Sequence, residues 1–157
     1  MPRLANLLAT VGGLGVLPYA PGTLGSAVGL LVGLLWLSYE SVAVRWGVLA
    51  LGVLIGVLAS TSVERQLETH DPPCVVIDEV IGMLAIAVAV PSISHSFWLF
   101  AIAFGLFRLF DVLKPPPLRW LSRFPAGWGI MLDDLGASAY TCLVLWLILR
   151  VATWPGG

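Results

Sequence analysis

The stretch CVVIDEVIGMLAIAVAV, residues 74–90, decides the fold of this chain, because it combines a long apolar run with two adjacent acids, Asp78 and Glu79. A helix that crosses a membrane needs roughly 20 apolar residues, or about 17 if it is short. The run starts near Val75 and ends before Pro91, so we interpret it as a membrane-spanning helix. A single Asp at the centre of such a helix costs about 2.5–3.5 kcal/mol, and the two acids therefore require a functional explanation.

The composition of the whole chain is typical of a membrane protein. Of its 157 residues, 59% are hydrophobic and 11% are charged, and the mean hydropathy is +0.96. At this length we expect a single integral membrane domain, residues 1–157, most of it used in crossing the membrane. The net charge of −1 gives no basic surface for a nucleic acid. The two cysteines, Cys74 and Cys142, lie far apart and form no metal or redox motif.

Four further apolar runs flank this stretch, at residues 24–37, 44–62, 96–113 and 135–151. Together with residues 75–90 they predict an all-α fold, a polytopic membrane helical bundle of about five spanning helices. Residues 4–17 are apolar but too short to span comfortably, so we expect a short N-terminal interfacial or re-entrant helix there. The first span is rich in glycine, and its Gly25, Gly29 and Gly33 predict close helix packing.

The distribution of Lys and Arg predicts the orientation of the bundle, since cytoplasmic loops carry an excess of both. With five crossings, the basic residues of one side are Arg3, Arg65, Lys114, Arg119 and Arg123, and those of the other side are Arg45 and Arg150. This excess places the N-terminus and the loops 63–74 and 114–133 in the cytoplasm. Every candidate site residue named below then lies at that same membrane face.

Five acids near helix ends at this face form the candidate site. They are Asp78, Glu79, Asp111, Asp133 and Asp134. Crowded carboxylates repel one another and cannot all stay ionised without compensation, which a divalent cation supplies. Mg²⁺ prefers oxygen ligands and is commonly held by carboxylates together with substrate phosphate. The alternative for Asp111 is a local ion-pair ladder with Arg108 and Lys114, which lie three residues before and after it on one helix face.

Basic and hydroxyl side chains beside the acids suit a phosphate group. Arg108 offers a planar fork to phosphate oxygens and Lys114 a point charge, although Lys114 could instead be a snorkelling anchor at a helix end. The loop PGTLGS, residues 21–26, leads into a helix whose N-terminal N–H groups suit an anion, with the hydroxyls of Thr23 and Ser26 beside them. Either hydroxyl could alternatively be only a helix cap.

The polar residues before the third span receive structural interpretations. We expect His70 to be a surface residue rather than a proton shuttle, and Asp71 to cap the helix that follows. Glu64 and Glu68 lie four residues apart on one helix face, where we expect both to be solvated rather than to bind a metal.

Four segments, in their order and spacing, resemble the phosphatidylglycerophosphatase A family of bacterial inner-membrane lipid phosphatases. They are PGTLGS at 21–26, HDPPCVVIDEVIG at 70–82, FRLFDVLKPPP at 107–117 and GWGIMLDDLGA at 127–137. The resemblance covers most of the chain. It implies an all-helical enzyme that hydrolyses phosphatidylglycerophosphate to phosphatidylglycerol and phosphate with Mg²⁺, in the bacterial inner (cytoplasmic) membrane with its site facing the cytoplasm.

The resemblance also implies which residues act. The implied metal and catalytic residues are Asp78, Glu79, Asp111, Asp133 and Asp134, and the implied substrate-binding residues are Thr23, Ser26, Arg108 and Lys114. We favour attack by water over an aspartyl-phosphate at Asp78 or Asp133, because the paired-Asp pattern of haloacid-dehalogenase phosphatases is absent.

Two other classes of protein stay open. Buried acids also mark ion pathways, so a cation-coupled transporter or channel is the main alternative. Against it, the acids gather at one face rather than at the membrane midplane, and the sequence shows no inverted repeat. A phosphotransferase acting on CDP-linked lipids is a second alternative, but its repeated Asp along one helix is absent. Headgroup preference rests on the resemblance alone, and the oligomeric state is left open.

Overall fold

The helix expected from the quoted stretch forms at Ile77–Ala89 and lies at the centre of an all-helical bundle. The computed structural model describes residues 2–35 and 40–152, and within these ranges there is no β-strand. The described residues form seven α-helices: α1 (Pro2–Ala9), α2 (Pro21–Leu35), α3 (Val42–Leu67), α4 (Ile77–Ala89), α5 (Phe97–Leu113), α6 (Leu118–Leu121) and α7 (Gly127–Ala152). Short 3₁₀ helices occupy Leu14–Val16 and Pro91–His95. The all-α prediction is confirmed.

Helix α4 is the core of the bundle because it is apolar on nearly every side. Its buried side chains include Ile77, Ile81, Met83 and Ile86. Helices α2, α3 and α7 all pack against it. A helix that is hydrophobic all round is the kind that becomes buried among its neighbours. The two acids at its start are therefore carried into the interior of the protein rather than to a lipid-facing surface.

Among the described residues, two helices are long and apolar enough to cross a membrane, namely α3 with 26 residues and Gly127–Val151 of α7 with 25. Helices α2, α4 and α5 have 15, 13 and 17 residues. At about 1.5 Å per residue these three fall short of the roughly 30 Å hydrocarbon core. The prediction of five spanning helices is therefore not confirmed. Apolar runs do not mark helix ends, since α3 and α7 extend beyond the runs 44–62 and 135–151 while α4 is shorter than the run 75–90. Residues 36 and 37 of the first predicted span lie outside the described residues.

Large apolar side chains face outward over the long helices, as expected of a protein surrounded by lipid. Leu51, Leu54 and Leu58 follow one exposed face of α3. The exposed tryptophans fall at opposite ends of the bundle, with Trp46, Trp98 and Trp146 at one end and Trp120 and Trp128 at the other. Aromatic residues are enriched at both membrane interfaces. Together with the two candidate spans, these features suggest a membrane protein.

The N-terminal segment forms a short helix, as expected. Helix α1 packs against α3 and exposes Leu4, Leu7 and Leu8, which suits a position in the membrane interface. After α1 the chain turns back through residues 11–13, whose φ angles are 49°, 71° and 95°. Just before this turn, the Ala9 carbonyl at the end of α1 accepts a hydrogen bond from the Val76 N–H at 2.9 Å. The N-terminal segment therefore supports the residue that directly precedes α4.

Helices α2 and α4 approach each other most closely along Gly25, Gly29 and Gly33, which we call the glycine seam. A methyl group on Gly29 would lie 2.8 Å from the Cα of Val80, and one on Gly25 would lie 3.2 Å from the Cβ of Val76. Carbon atoms in favourable contact lie about 3.5–4.0 Å apart. The two backbones can therefore touch only because these positions lack a side chain, and the predicted close packing is confirmed.

We expect Gly29→Ala to destabilise the detergent-solubilised protein, because its methyl group would overlap the Val80 backbone. Overpacking of this kind typically costs about 1–3 kcal/mol, which should appear as a lower Tm. Gly105→Ala on α5 is the matched control, since nothing lies within 4 Å of its Cβ position. It should be neutral or slightly stabilising, because alanine favours helix more than glycine does. Equal losses of Tm in the two variants would contradict the role of the seam.

Candidate active site

The acids singled out in the sequence meet at one end of the bundle. This end is formed by the starts of α2, α4 and α7 and by the ends of α3 and α5. The Gly127 N–H, at the start of α7, donates a hydrogen bond of 3.0 Å to the hydroxyl of Thr61 near the end of α3. The structure thus places the acids of three different helices at the same level of the bundle.

Three of the acids, Asp78, Glu79 and Asp134, form a cluster that we call the carboxylate triad. One oxygen atom of each acid lies within 4.8 Å of one oxygen of each of the others. Asp78 and Asp134 are only 8% and 3% exposed. Asp78 and Glu79 lie in the first turn of α4, where the positive end of the helix dipole favours negative charge.

Each acid of the triad has one buried oxygen that lacks a hydrogen-bond partner among the described residues. These atoms are Asp78 Oδ1, Glu79 Oε2 and Asp134 Oδ2. Burying a charged group without a partner is strongly unfavourable, so three such acids clustered together indicate a missing positive charge. Carboxylate oxygens are the ligands that hard divalent cations take. The triad therefore fits a divalent metal ion and could hold one.

Arg108 links the triad to Asp111. Its Nη1 atom lies 2.8 Å from Asp111 Oδ2 and 3.7 Å from Glu79 Oε1. Arg108 and Asp111 are three residues apart on α5, so this contact is the local ion pair that the sequence left open as an alternative. Asp111 lies beside the triad rather than within it, although it interacts electrostatically with both Glu79 and Asp134.

Lys114 pairs with Asp133, not with Asp111 as the local ladder would require. Its Nζ donates a hydrogen bond to Asp133 Oδ2, and Asp133 is only 4% exposed. Lys114 directly follows α5 in a left-handed conformation, with φ 43°. Burial disfavours its charged form, but the hydrogen bond to Asp133 and that acid's charge raise the pKa of Lys114 above its ordinary value of 10.5. The lysine is therefore held as a cation beside the triad.

The segment PGTLGS contributes through a residue that was not singled out in the sequence. Helix α2 already begins at Pro21, so neither Thr23 nor Ser26 is its N-cap. The buried hydroxyl of Ser26 donates to the Gly22 carbonyl at 2.8 Å, and Thr23 is half-buried. Gly22 itself faces the site, since a methyl group there would overlap Glu79 Oε1 and lie 3.3 Å from Arg108 Nη1. The feature of the sequence that could have pointed to Gly22 is its position in the first turn of a helix.

The polar loop before α4 differs from expectation in two respects. Glu64 is not solvated but 9% exposed, and its Oε1 lies 2.7 Å from His70 Nδ1 and accepts the Asp71 N–H at 3.1 Å. Asp71 does not cap α4, whose N-cap is Val76 without a side-chain hydrogen bond. The loop packs against the bundle, and the buried Glu64 carboxylate forms hydrogen bonds with the polar groups of the loop there. Glu68 is exposed, as expected.

A buried serine ties Asp134 to the core helix. The Ser138 hydroxyl lies 2.7 Å from both the Gly82 carbonyl on α4 and the Asp134 carbonyl on α7, and can donate to either. This contact fixes the spacing of α4 and α7 close to the triad. A methyl group on Gly82 would lie 3.1 Å from this hydroxyl, so the small residue is needed for the contact.

Comparison with known proteins identifies the family to which the chain is similar. The family model of phosphatidylglycerophosphatase A matches residues 7–149. A phosphatidylglycerophosphatase A of Haemophilus influenzae is 38% identical over 144 residues, which cover 91% of this chain and 87% of the relative. The Escherichia coli K12 protein of the same name is 35% identical over 158 residues, covering 97% and 86%.

A third relative carries a different name. A Bacteroides thetaiotaomicron protein, provisionally named as a phosphatidylinositol-3-phosphatase, is 35% identical over 161 residues that cover 98% of this chain and 96% of the relative. No solved structure matches the chain.

The helical bundle and its acid site therefore belong to an enzyme of the phosphoric monoester hydrolase class. The chain is a member of the phosphatidylglycerophosphatase A family, since the family model and the named relatives cover nearly all of it. Membership supports activity as a phosphatase of phosphatidylglycerophosphate.

We expect the stability of the protein to fall as the pH rises through the titration of His70. A hydrogen bond to the Ser122 carbonyl, at 3.0 Å, and the Glu64 carboxylate favour the imidazolium and, against the effect of burial, raise the pKa of His70 above 6.5. The stabilisation is then complete below pH 6.5 and is lost as the pH passes the raised pKa. The effect is small, because the side chain is 57% exposed.

Thermal unfolding in detergent between about pH 5 and pH 8 measures this dependence. The wild-type Tm should decline more steeply with pH than that of His70→Gln, which keeps polar contacts but cannot become charged. Parallel pH profiles for the two proteins would show that the His70 contacts do not couple protonation to folding.

Proposed function

We propose that this protein removes the terminal phosphate of phosphatidylglycerophosphate, giving phosphatidylglycerol and phosphate, with Mg²⁺ as cofactor at the cytoplasmic face of the bacterial inner membrane. The observation that carries the proposal is the carboxylate triad with its three unpartnered buried oxygens. Arg108 lies 3.7 Å from Glu79, and Lys114 pairs with Asp133, the neighbour of Asp134 in the chain. A cation site next to two fixed basic groups suits a phosphate monoester dianion. Family membership supports the same substrate.

Asp78, Glu79 and Asp134 would hold Mg²⁺. Bound there, the ion would offset the repulsion among the three carboxylates and polarise an oxygen of the phosphoryl group. The three acids come from two helices that Ser138 joins, so their relative positions are set by the fold before any ligand binds. Preorganised charge of this kind is the main source of rate enhancement in phosphoryl transfer.

Arg108 and Lys114 would bind the oxygens of the substrate phosphate. Each is held by one carboxylate, Arg108 by Asp111 and Lys114 by Asp133. Both side chains keep some exposure, 25% for Arg108 and 29% for Lys114, and can therefore reach a ligand that enters from the end of the bundle. In this proposal Asp111 and Asp133 act by holding the bases, while the triad holds the cation. Thr23 and Ser26 would contribute indirectly, by stabilising the first turns of α2, whose backbone places Gly22 against Glu79.

Water remains our choice of nucleophile. Asp133 is engaged by Lys114, and Asp78 is one of the three acids that would bind the cation. Neither carboxylate is then free to attack phosphorus. Phosphate trapped covalently on the protein during turnover would contradict this choice.

The cytoplasmic orientation rests on the excess of Lys and Arg at the end of the bundle that carries the site. Basic residues at this end include Arg65, Lys114, Arg119 and Arg123. Trp120 and Trp128 are exposed at the same end, at the level where aromatic side chains meet lipid headgroups. A lipid phosphate in the cytoplasmic leaflet would then lie at the depth of the triad.

The cation-coupled transporter is the weaker alternative. Transporter sites lie near the membrane midplane, at interrupted helices. The triad lies instead in the first turn of α4 and about two turns inside α7, toward one end of the bundle.

The deciding experiment measures phosphate release by the detergent-purified protein from phosphatidylglycerophosphate, with phosphatidic acid and phosphatidylinositol 3-phosphate alongside. We expect release from the first lipid that EDTA abolishes and Mg²⁺ restores. Faster release from the inositol lipid would assign the activity named for the Bacteroides relative. No release from any lipid, together with cation flux in liposomes, would favour the transporter.

Single substitutions should separate the two groups of acids. Asp78→Asn, Glu79→Gln and Asp134→Asn should raise the Mg²⁺ concentration for half-maximal activity and lower kcat by about 100-fold or more, since even outer partners of a metal site contribute about 10–100-fold. Asp133→Asn should mainly raise KM, because Lys114 loses its anchor but the triad is intact.

Glu40→Gln is the control for these variants, because Glu40 lies before α3, at the other end of the bundle. It should match wild type in kcat, KM and Mg²⁺ requirement. Wild-type kinetics in all the acid variants would refute the acid site as a whole. A Mg²⁺ requirement shifted equally in Asp133→Asn and Asp134→Asn would refute the separation of roles.

A further inference from the structure

Asp71 has an unusual backbone conformation next to the candidate site. Its φ angle is 52°, in the left-handed region that side-chain-bearing residues rarely adopt. The next residue, Pro72, is fully buried, and a residue before proline normally prefers an extended conformation. Aspartate tolerates this region better than most residues, but the proline that follows disfavours it, so the surrounding contacts must hold Asp71 there.

Glu64 is the residue that holds this conformation. Its buried Oε1 accepts the Asp71 N–H at 3.1 Å and lies 2.7 Å from His70 Nδ1. The opposite ring nitrogen of His70 lies 3.0 Å from the Ser122 carbonyl, in the segment that leads to α7. Burying the Glu64 carboxylate to 9% exposure is energetically unfavourable, yet here it holds a surface loop in place. The loop is thereby fixed both to α3 and to the segment before α7.

The loop that carries Asp71 leads directly into the acids of α4, with Asp71 in the segment between α3 and Asp78. The negative charge of Asp71 also helps to raise the pKa of Lys114 above its ordinary value. Asp71 is exposed to water and forms no ion pair within residues 2–35 and 40–152. The five other acids of the site are buried or engaged, three of them in the triad and two with Arg108 and Lys114. Asp71 is thus the site carboxylate left accessible to a water molecule.

We propose that Asp71 is a sixth carboxylate of the active site, which accepts a hydrogen bond from the attacking water and orients it, and that Glu64 and His70 are its positioning residues. This inference rests on the phosphatase activity proposed above. In that reaction the water oxygen bonds to phosphorus and the ester bond between phosphorus and the lipid oxygen breaks. One water proton ends on the departing lipid hydroxyl, and the other stays on the phosphate.

Asp71→Asn tests the charge of this side chain without disturbing its backbone, because asparagine also tolerates the left-handed region. We expect kcat on phosphatidylglycerophosphate to fall by about 100-fold, the lower end of the range for groups that assist proton transfer, with KM and Tm near wild type. Glu68→Asn is the matched control. Glu68 is exposed in the same loop, also has a φ of 52°, and carries the same charge, so its variant should keep wild-type kcat.

Glu64 is tested through its dependence on Asp71. Glu64→Gln keeps an oxygen that can accept the Asp71 N–H and should retain most of kcat, whereas Glu64→Ala should lose kcat. If Glu64 acts by positioning Asp71, then Glu64→Ala added to Asp71→Asn should lower kcat no further. A purely structural role would lower kcat equally in both backgrounds, and that result would overturn the positioning role.

The outcomes distinguish this inference from the function on which it rests. An active wild type with full kcat in Asp71→Asn would overturn the role of Asp71 and leave the phosphatase proposal intact. A wild type that releases no phosphate would remove the phosphatase proposal itself. A loss of kcat in Glu68→Asn as large as that in Asp71→Asn would show a general charge effect of the loop and would also overturn the inference.

Discussion

The burial of three carboxylates beside one another is the constraint on which the rest of this structure depends. Like charges in a poorly solvated interior cannot all persist unless positive charge reaches them. The chain supplies part of it through the N-terminus of α4 and through Arg108, which lies 3.7 Å from Glu79. The three unpartnered oxygens show that this supply is incomplete. A divalent cation would supply the missing positive charge, and together with Arg108 and Lys114 it would then offset the charge of a bound phosphate.

Small residues make this arrangement sterically possible. The glycine seam lets the backbone of α2 touch that of α4, and Gly22 extends the same contact up to the Glu79 carboxylate. Ser138 spans the gap between α4 and α7 with a single hydroxyl. The residues that position the site are therefore those with the smallest side chains, and the acids are rigid because the helices that carry them are closely packed.

Charged partners then give the acids different roles. Asp111 and Asp133 each form an ion pair with a basic side chain. Asp78, Glu79 and Asp134 cluster together, and each has an oxygen without a hydrogen-bond partner among the described residues. Glu64 performs a comparable task outside the cluster, because its buried carboxylate organises the loop that carries Asp71. Asp111 has its partner within its own helix, whereas Asp133 and Glu64 contact residues of other segments, which only the fold brings to them.

The sequence by itself determined that the chain is helical and apolar and that its acids gather at one end, because hydropathy and the order of the motifs depend only on residue identity. It could not settle the number of spanning helices, since an apolar run looks the same whether it faces lipid or, as α4 does, other helices. Only the tertiary structure decided which acids share a cluster, that Lys114 pairs with Asp133, and that Gly22 rather than Thr23 meets Glu79. Those pairings depend on distances between different helices, which no local pattern encodes.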